Sequence, residues 1–132
     1  MKVCLDTSAY SHFARGHAPV VEVLDRAGWI GVPAVALGEL HTGFRLGSRR
    51  RRNEHELGAF LANPAVTVLD VDDEAASIYA DLVVTLRRAG TPIPTTDLWI
   101  AAVAAREGAT VLTYDAHYEK IGRVGVHRLE RG

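Results

Sequence analysis

Four acidic residues lie at positions where an α/β enzyme commonly presents catalytic side chains. Asp6 and Asp115 each follow a short apolar run, while Glu39 and Asp97 lie in stretches with helical periodicity. Two carboxylates about 4 Å apart repel each other by about 4 kcal/mol at an effective dielectric constant near 20. If the four acids converge, they therefore either take up protons or bind cations. The set predicts a metal site whose chemistry is phosphoryl transfer.

The residue types around these acids favour Mg²⁺ or Mn²⁺ over Zn²⁺, because oxygen ligands prevail and the sequence has no paired cysteines. Such ions activate water for attack on a phosphodiester. The hydroxyl residues Thr7, Ser8 and Thr113 lie near the same strand ends and could orient a water molecule or a carboxylate. His117, two residues after Asp115, could touch the substrate, but we interpret it as a surface histidine.

Each acid also has a purely structural explanation. Asp6 and Asp115 could cap the helices that follow them through their side chains. An acid in the first turn of a helix, such as Asp97, is favoured by about 0.3–1 kcal/mol through the helix dipole. Glu39 is expected to be buried, since its helix carries apolar residues such as Leu40. An unpaired buried acid is costly, so Glu39 needs a basic partner, a hydrogen-bond network or a metal.

Predicted strands and helices alternate along the chain. The predicted strands are Lys2–Asp6, Trp29–Val32, Val66–Val71, Thr110–Tyr114 and a possible fifth at Val126–Leu129. The intervening predicted helices begin near Thr7, Val20, Pro33, Arg49, Asp72 and Asp97, with a short one after Asp115. Because most strands are apolar throughout, the fold class is α/β: three α/β/α layers around a central parallel sheet of four to five strands. Ligands bind such sheets beyond the carboxyl ends of the strands.

Composition and charge narrow the functional classes. The 132 residues predict a single domain, residues 1–132, and their 48% hydrophobic content suits a soluble globular protein. The lone Cys4 excludes an intrachain disulfide, and the sequence shows neither a signal-peptide core nor a membrane-length apolar run, so we expect a cytoplasmic protein. A net charge of −1 argues against nucleic-acid coating by bulk electrostatics. A local basic patch is nevertheless formed by the run Arg49, Arg50, Arg51 and Arg52.

The acids lie in four short motifs. The motifs are Leu5-Asp6-Thr7-Ser8, Glu39-Leu40 followed by Gly43, Asp97-Leu98-Trp99-Ile100-Ala101-Ala102 and Leu112-Thr113-Tyr114-Asp115. As an ordered set they resemble the acidic motifs of PIN-domain ribonucleases, and in particular the VapC-type toxins of bacterial toxin–antitoxin pairs. The resemblance extends over essentially the whole chain.

This resemblance implies a PIN-like fold in which the four acids bind metal, with assistance from Thr7 or Ser8. It implies Mg²⁺- or Mn²⁺-dependent cleavage of structured RNA, often transfer RNA or ribosomal RNA. It also implies a homodimer and a small antitoxin partner whose C-terminal segment blocks the site. All four arginines of the run at positions 49–52 are candidates for contact with the RNA phosphates or with an acidic antitoxin segment.

Two other functions are compatible with parts of this pattern. A non-cleaving module of the same fold would bind RNA or a partner, although pure binding has little use for an acidic cluster. A phosphoaspartate receiver or a haloacid-dehalogenase-like phosphatase would acylate Asp6. Those folds need further acids beside Asp6 and a lysine after a late strand, whereas Thr7 and Ser8 follow Asp6 and Lys120 lies well beyond its strand.

Overall fold

The computed structural model describes all 132 residues, in five strands, six α-helices and one 3₁₀ helix. The strands are β1 (Lys2–Leu5), β2 (Trp29–Pro33), β3 (Val66–Leu69), β4 (Thr110–Thr113) and β5 (Val126–Arg128). The α-helices are α1 (Thr7–Ala14), α2 (Ala18–Arg26), α3 (Ala34–Leu46), α4 (Arg50–Leu61), α5 (Asp73–Ala89) and α6 (Thr95–Glu107). The 3₁₀ helix is Ala116–Lys120.

All five strands form one parallel sheet in the order β3-β2-β1-β4-β5. The first strand of the chain is therefore central, with β2 on one side and β4 on the other. Helices cover both faces, which confirms the predicted three-layer α/β/α fold and sets the strand number at five. Because every strand runs in the same direction, residues that follow β1 and β4 meet at one edge.

Each face of the sheet has its own hydrophobic core. Side chains of a strand alternate between faces, and in β1 Val3 and Leu5 join one core while Cys4 joins the other. The first core packs under α1, α2 and α4, and the second packs under α5 and α6. None of the helices combines the length and hydropathy that a bilayer-spanning segment requires.

Most element boundaries differ from those predicted by one or two residues, and two of the two-residue differences have a clear local cause. β3 ends at Leu69 rather than Val71, because Leu69 is paired with Pro33, where the neighbouring strand β2 ends. α6 begins at Thr95 rather than Asp97, since Pro94 has an extended backbone that suits the position just before a helix. The acid thus becomes the third helical residue and still lies in the first turn.

Gly31 in β2 is required by close packing. A Cβ atom at this position would lie 2.7 Å from Leu69 Cδ1 and 2.7 Å from the Trp29 ring. We expect Gly31→Ala to lower the free energy of unfolding by about 1–3 kcal/mol, as overpacking does in other cores. Urea denaturation would measure this, with Gly28→Ala as the control because a Cβ atom at position 28 would meet nothing within 4 Å. Equal stability of the two variants would contradict the prediction.

Candidate active site

Asp6 follows the central strand β1 and is buried, with 4% of its surface exposed. Its carboxylate caps α1 by accepting a hydrogen bond from the Ala9 amide at 2.8 Å. It also accepts hydrogen bonds from Ser8 Oγ at 2.8 Å and from Thr113 Oγ1 at 2.6 Å. The capping role foreseen for Asp6 is real, yet capping alone needs neither this burial nor two hydroxyl donors.

Burial raises the pKa of the Asp6 carboxyl to about 6, and the negative charge of Asp97 adds to that effect. The hydrogen bonds from Thr113, Ala9 and Ser8 lower the pKa but do not cancel the cost of desolvation. Ionising the Asp6 carboxyl in the folded chain therefore costs free energy. A cation beside it would offset that cost.

Asp97 and Asp115 are joined through a histidine. His117 Nδ1 lies 2.9 Å from Asp97 Oδ2 and 3.0 Å from Asp115 Oδ1. Tyr118 donates a hydrogen bond from its hydroxyl to Asp97 Oδ1 at 3.2 Å. The Asp115 amide donates to Thr113 Oγ1 at 2.9 Å, the same oxygen that donates to the Asp6 carboxylate. One hydrogen-bonded network therefore links the acids that follow β1 and β4 with the acid of α6.

Glu39 is placed differently from the prediction. It is exposed, because α3 buries only a narrow stripe that includes Ala36 and Leu40. The expectation that Glu39 is a buried acid is therefore wrong, and burial gives no reason for it to bind a cation. Its carboxylate instead accepts a hydrogen bond from Thr7 Oγ1, the residue next to Asp6. Glu39 thus reaches the same edge of the sheet from its solvent side.

The role of His117 is the main feature that sequence reasoning missed. Its side chain is 43% exposed, which agrees with a surface histidine, but its ring nitrogen contacts two of the predicted acids. The signal that could have found it was its position two residues after Asp115, immediately beyond a strand end. One nitrogen or carboxylate oxygen from each of Asp97, Asp115 and His117 lies within 4.8 Å of the other two. That donor set suits a divalent cation.

The four arginines at positions 49–52 lie at the start of α4, where positive charge opposes the helix dipole. All four are exposed. Two of them are offset by glutamates one turn later, Arg50 by Glu54 at 2.8 Å and Arg52 by Glu56 at 3.1 Å. The run is therefore partly neutralised within its own helix.

The four arginines line two neighbouring depressions. Arg49 and Arg52 line a groove between α1, α3 and α4, whereas Arg50 and Arg51 lie outside it and border a separate depression with Glu54. Successive residues of a helix point in different directions, and contact of all four arginines with RNA or an antitoxin stays a prediction. Other residues lining the groove include Tyr10, Arg15, Leu40 and Phe44. The groove has apolar walls and more basic than acidic side chains, because Glu56 also lines it and pairs with Arg52.

The fold and these acids can be compared with known proteins. A family model described as the PIN domain matches residues 3–124. The chain belongs to the PIN domain family. This PIN domain is 33% identical over 96 residues to ribonuclease VapC4 of Mycobacterium tuberculosis, which covers 73% of the chain and 74% of VapC4. The family resemblance inferred from the four acidic motifs is thereby confirmed.

Solved structures agree with this assignment. The VapBC-5 toxin–antitoxin structure from Mycobacterium tuberculosis contains a chain that is 30% identical to this PIN domain, with a TM-score of 0.77. That match covers 98% of this chain and all of the other. The DNA-bound VapBC2 structure from Rickettsia felis gives a TM-score of 0.88 at 23% identity, over 97% of this chain and 98% of that one, and supports the fold alone.

Proposed function

We propose that this PIN domain is a metal-dependent endoribonuclease that acts as the toxin of a toxin–antitoxin pair. The observation that carries the proposal is the hydrogen-bonded network in which Thr113 and His117 connect Asp6, Asp97 and Asp115 at the carboxyl edge of the sheet. The relatives support the reaction class, since VapC4 is a ribonuclease. The VapBC-5 structure supports the pairing with an antitoxin.

The four acids are proposed to hold Mg²⁺ or Mn²⁺. Their donors are carboxylate oxygens, and the desolvated Asp6 carboxylate gains from a neighbouring cation. When bound, the cation would supply an activated water and would neutralise charge on the phosphate. The chain's own residues orient the acids: Ser8 and Thr113 hold Asp6, Thr7 holds Glu39, and Tyr118 holds Asp97. These contacts limit the reorganisation required during reaction.

The proposed substrate is structured RNA, either transfer RNA or ribosomal RNA, in the cytoplasm. Attack by water on the phosphorus, with departure of the 3′ oxygen, leaves a 5′-phosphate and a 3′-hydroxyl.

The basic groove lined by Arg49 and Arg52 is proposed to contact RNA phosphates or the antitoxin, and the exposed Arg50 and Arg51 are proposed to extend that contact beyond its rim. An antitoxin segment with acidic and apolar side chains would match the charge of the groove and its apolar wall. A homodimer is the proposed assembly.

The proposal is tested by incubating the purified chain, free of antitoxin, with total RNA and either Mg²⁺ or Mn²⁺. We expect discrete fragments with 5′-phosphate ends that disappear with EDTA and with Asp97→Asn. Asp25→Asn is the matched control, since Asp25 is exposed on α2 and should leave cleavage unchanged. Sequencing the fragment ends would identify the target.

Two results would contradict parts of this proposal. Early products that carry mostly 2′,3′-cyclic phosphates would exclude attack by water. RNA that is bound but remains intact with every metal would instead support the alternative, a non-cleaving RNA- or partner-binding module of the same fold.

A further inference from the structure

His117 is held between two acids rather than free at the surface. Its Nδ1 atom lies 2.9 Å from Asp97 Oδ2 and 3.0 Å from Asp115 Oδ1. Its backbone amide points to Asp115 Oδ1 at 3.4 Å, and the next residue, Tyr118, is fully buried and donates to Asp97. The imidazole is therefore fixed in register with both carboxylates by the start of the 3₁₀ helix.

A single proton on Nδ1 cannot form a well-aligned hydrogen bond to both carboxylates at once. A neutral imidazole carries one N–H group, and that group can point directly at one acceptor only. A cation held by the three residues would interact with both carboxylates and with the nitrogen lone pair. One donor atom from each of Asp97, Asp115 and His117 already lies within 4.8 Å of the other two.

An imidazole ligand changes which ion the site prefers. Mg²⁺ takes oxygen ligands and keeps much of its water, whereas Mn²⁺ suits carboxylates and is also a first-row transition ion that nitrogen-containing sites bind, more weakly than they bind its heavier neighbours. From the geometry we infer that His117 is a metal ligand through Nδ1 and that it makes the site select Mn²⁺ over Mg²⁺. This inference rests on the proposed function, because it assigns a ligand and an ion to the same metal site.

The test measures metal binding rather than cleavage. Metal-free chain is titrated with Mn²⁺ alone and with Mg²⁺ alone by calorimetry, for the wild type, His117→Ala and His117→Asp. We expect His117→Ala to lower the ratio of Mn²⁺ affinity to Mg²⁺ affinity at least about tenfold, since loss of even an outer-shell partner costs about 10–100-fold in affinity. His117→Asp should retain Mg²⁺ binding and also lose the preference for Mn²⁺.

A spectroscopic measurement reports the ligand directly. Pulsed electron paramagnetic resonance of the Mn²⁺-loaded wild type should show nitrogen hyperfine coupling that is absent from His117→Ala. His55→Ala is the matched control, because His55 is exposed on α4 and should keep both the coupling and the affinities. Circular dichroism of each variant would verify that it is folded.

The outcomes separate this inference from the proposed function. Unchanged affinities and coupling in His117→Ala, with binding abolished by Asp97→Asn, would overturn the assignment of His117 while leaving the metal-dependent nuclease intact. Absence of Mn²⁺ and Mg²⁺ binding by the wild type would overturn both.

Discussion

Replacing Asp6 with asparagine is expected to make the metal-free protein more stable at pH 7.5 and to abolish RNA cleavage. Burial raises the pKa of Asp6 from 3.8 to about 6, so ionising it in the folded chain opposes folding. A shift of about two pKa units corresponds to about 3 kcal/mol. Asparagine caps a helix about as well as aspartate, and it removes the buried charge. We expect a gain of about 1–3 kcal/mol in the free energy of unfolding.

The same substitution removes a proposed metal ligand. We therefore expect the cleavage rate of Asp6→Asn to fall at least about a hundredfold, a loss comparable with removing one preorganised electrostatic group from an active site. Urea denaturation in EDTA measures the stability, and fragment formation from RNA measures the rate. Asp25→Asn serves again as the control. An Asp6→Asn variant that is less stable than the wild type would show that hydrogen bonding at this position outweighs desolvation.

The pH dependence of the unfolding free energy distinguishes the cost of desolvating the Asp6 charge from the gain of its hydrogen bonds. Between about pH 4 and pH 6 the folded chain holds a proton on Asp6 that the unfolded chain has released. The contribution of Asp6 to stability is therefore fully present below its unfolded pKa and is lost as the pH rises through its folded pKa. In EDTA, the difference in unfolding free energy between Asp6→Asn and the wild type should grow from pH 4 to pH 6 and then level off.

Truncating Tyr118 is expected to destabilise the protein by about 3–5 kcal/mol, the usual cost of replacing a buried aromatic residue with alanine. Tyr118 is 0% exposed and belongs to the core beneath α5 and α6. Tyr118→Phe keeps the ring and loses the hydrogen bond to Asp97, so we expect a smaller loss of about 1–2 kcal/mol. Urea denaturation of both variants in EDTA measures the difference.

The phenol of Tyr118 also donates a hydrogen bond to Asp97 in the candidate site. Burial raises its pKa, and the negative charges of Asp6 and Asp97 raise it further, so the hydroxyl remains a donor at neutral pH. Tyr118→Ala should therefore also release the 3₁₀ helix that presents His117 and weaken metal binding, while Tyr118→Phe should bind metal nearly as well as the wild type. Equal stability losses in the two variants would mean that the ring packing contributes little.

The fold could be predicted from the sequence because each strand and helix is marked by residues within its own segment. Continuous apolar runs ending in Asp6 and Asp115 located two parallel strands and the edge at which their acids meet. The prediction for Glu39 failed because apolar residues on a helix do not show how wide its buried stripe is, and α3 buries Leu40 while it leaves Glu39 exposed. The assigned roles of the four acids stay predictions.

The contacts of His117 and Tyr118 with Asp97 were not predictable in the same way. They join residues 20 and 21 positions apart through a short 3₁₀ helix. Short elements of this kind carry little periodicity, and tertiary packing decides where their side chains point. The missing information was the position of Asp97 in space relative to the strand end at Thr113.

The central position of β1 has a consequence for synthesis. Although β1 is made before the other strands, it pairs with β4, whose residues lie more than 100 positions later in the chain. A nascent chain that has reached only Gly108 has neither Thr113, which holds Asp6, nor Asp115. If the acids have their proposed roles, the precursor on the ribosome is therefore inert until Asp115 has emerged. For a proposed nuclease whose substrates include the RNAs of translation, this order delays any attack on the machinery that is still making it.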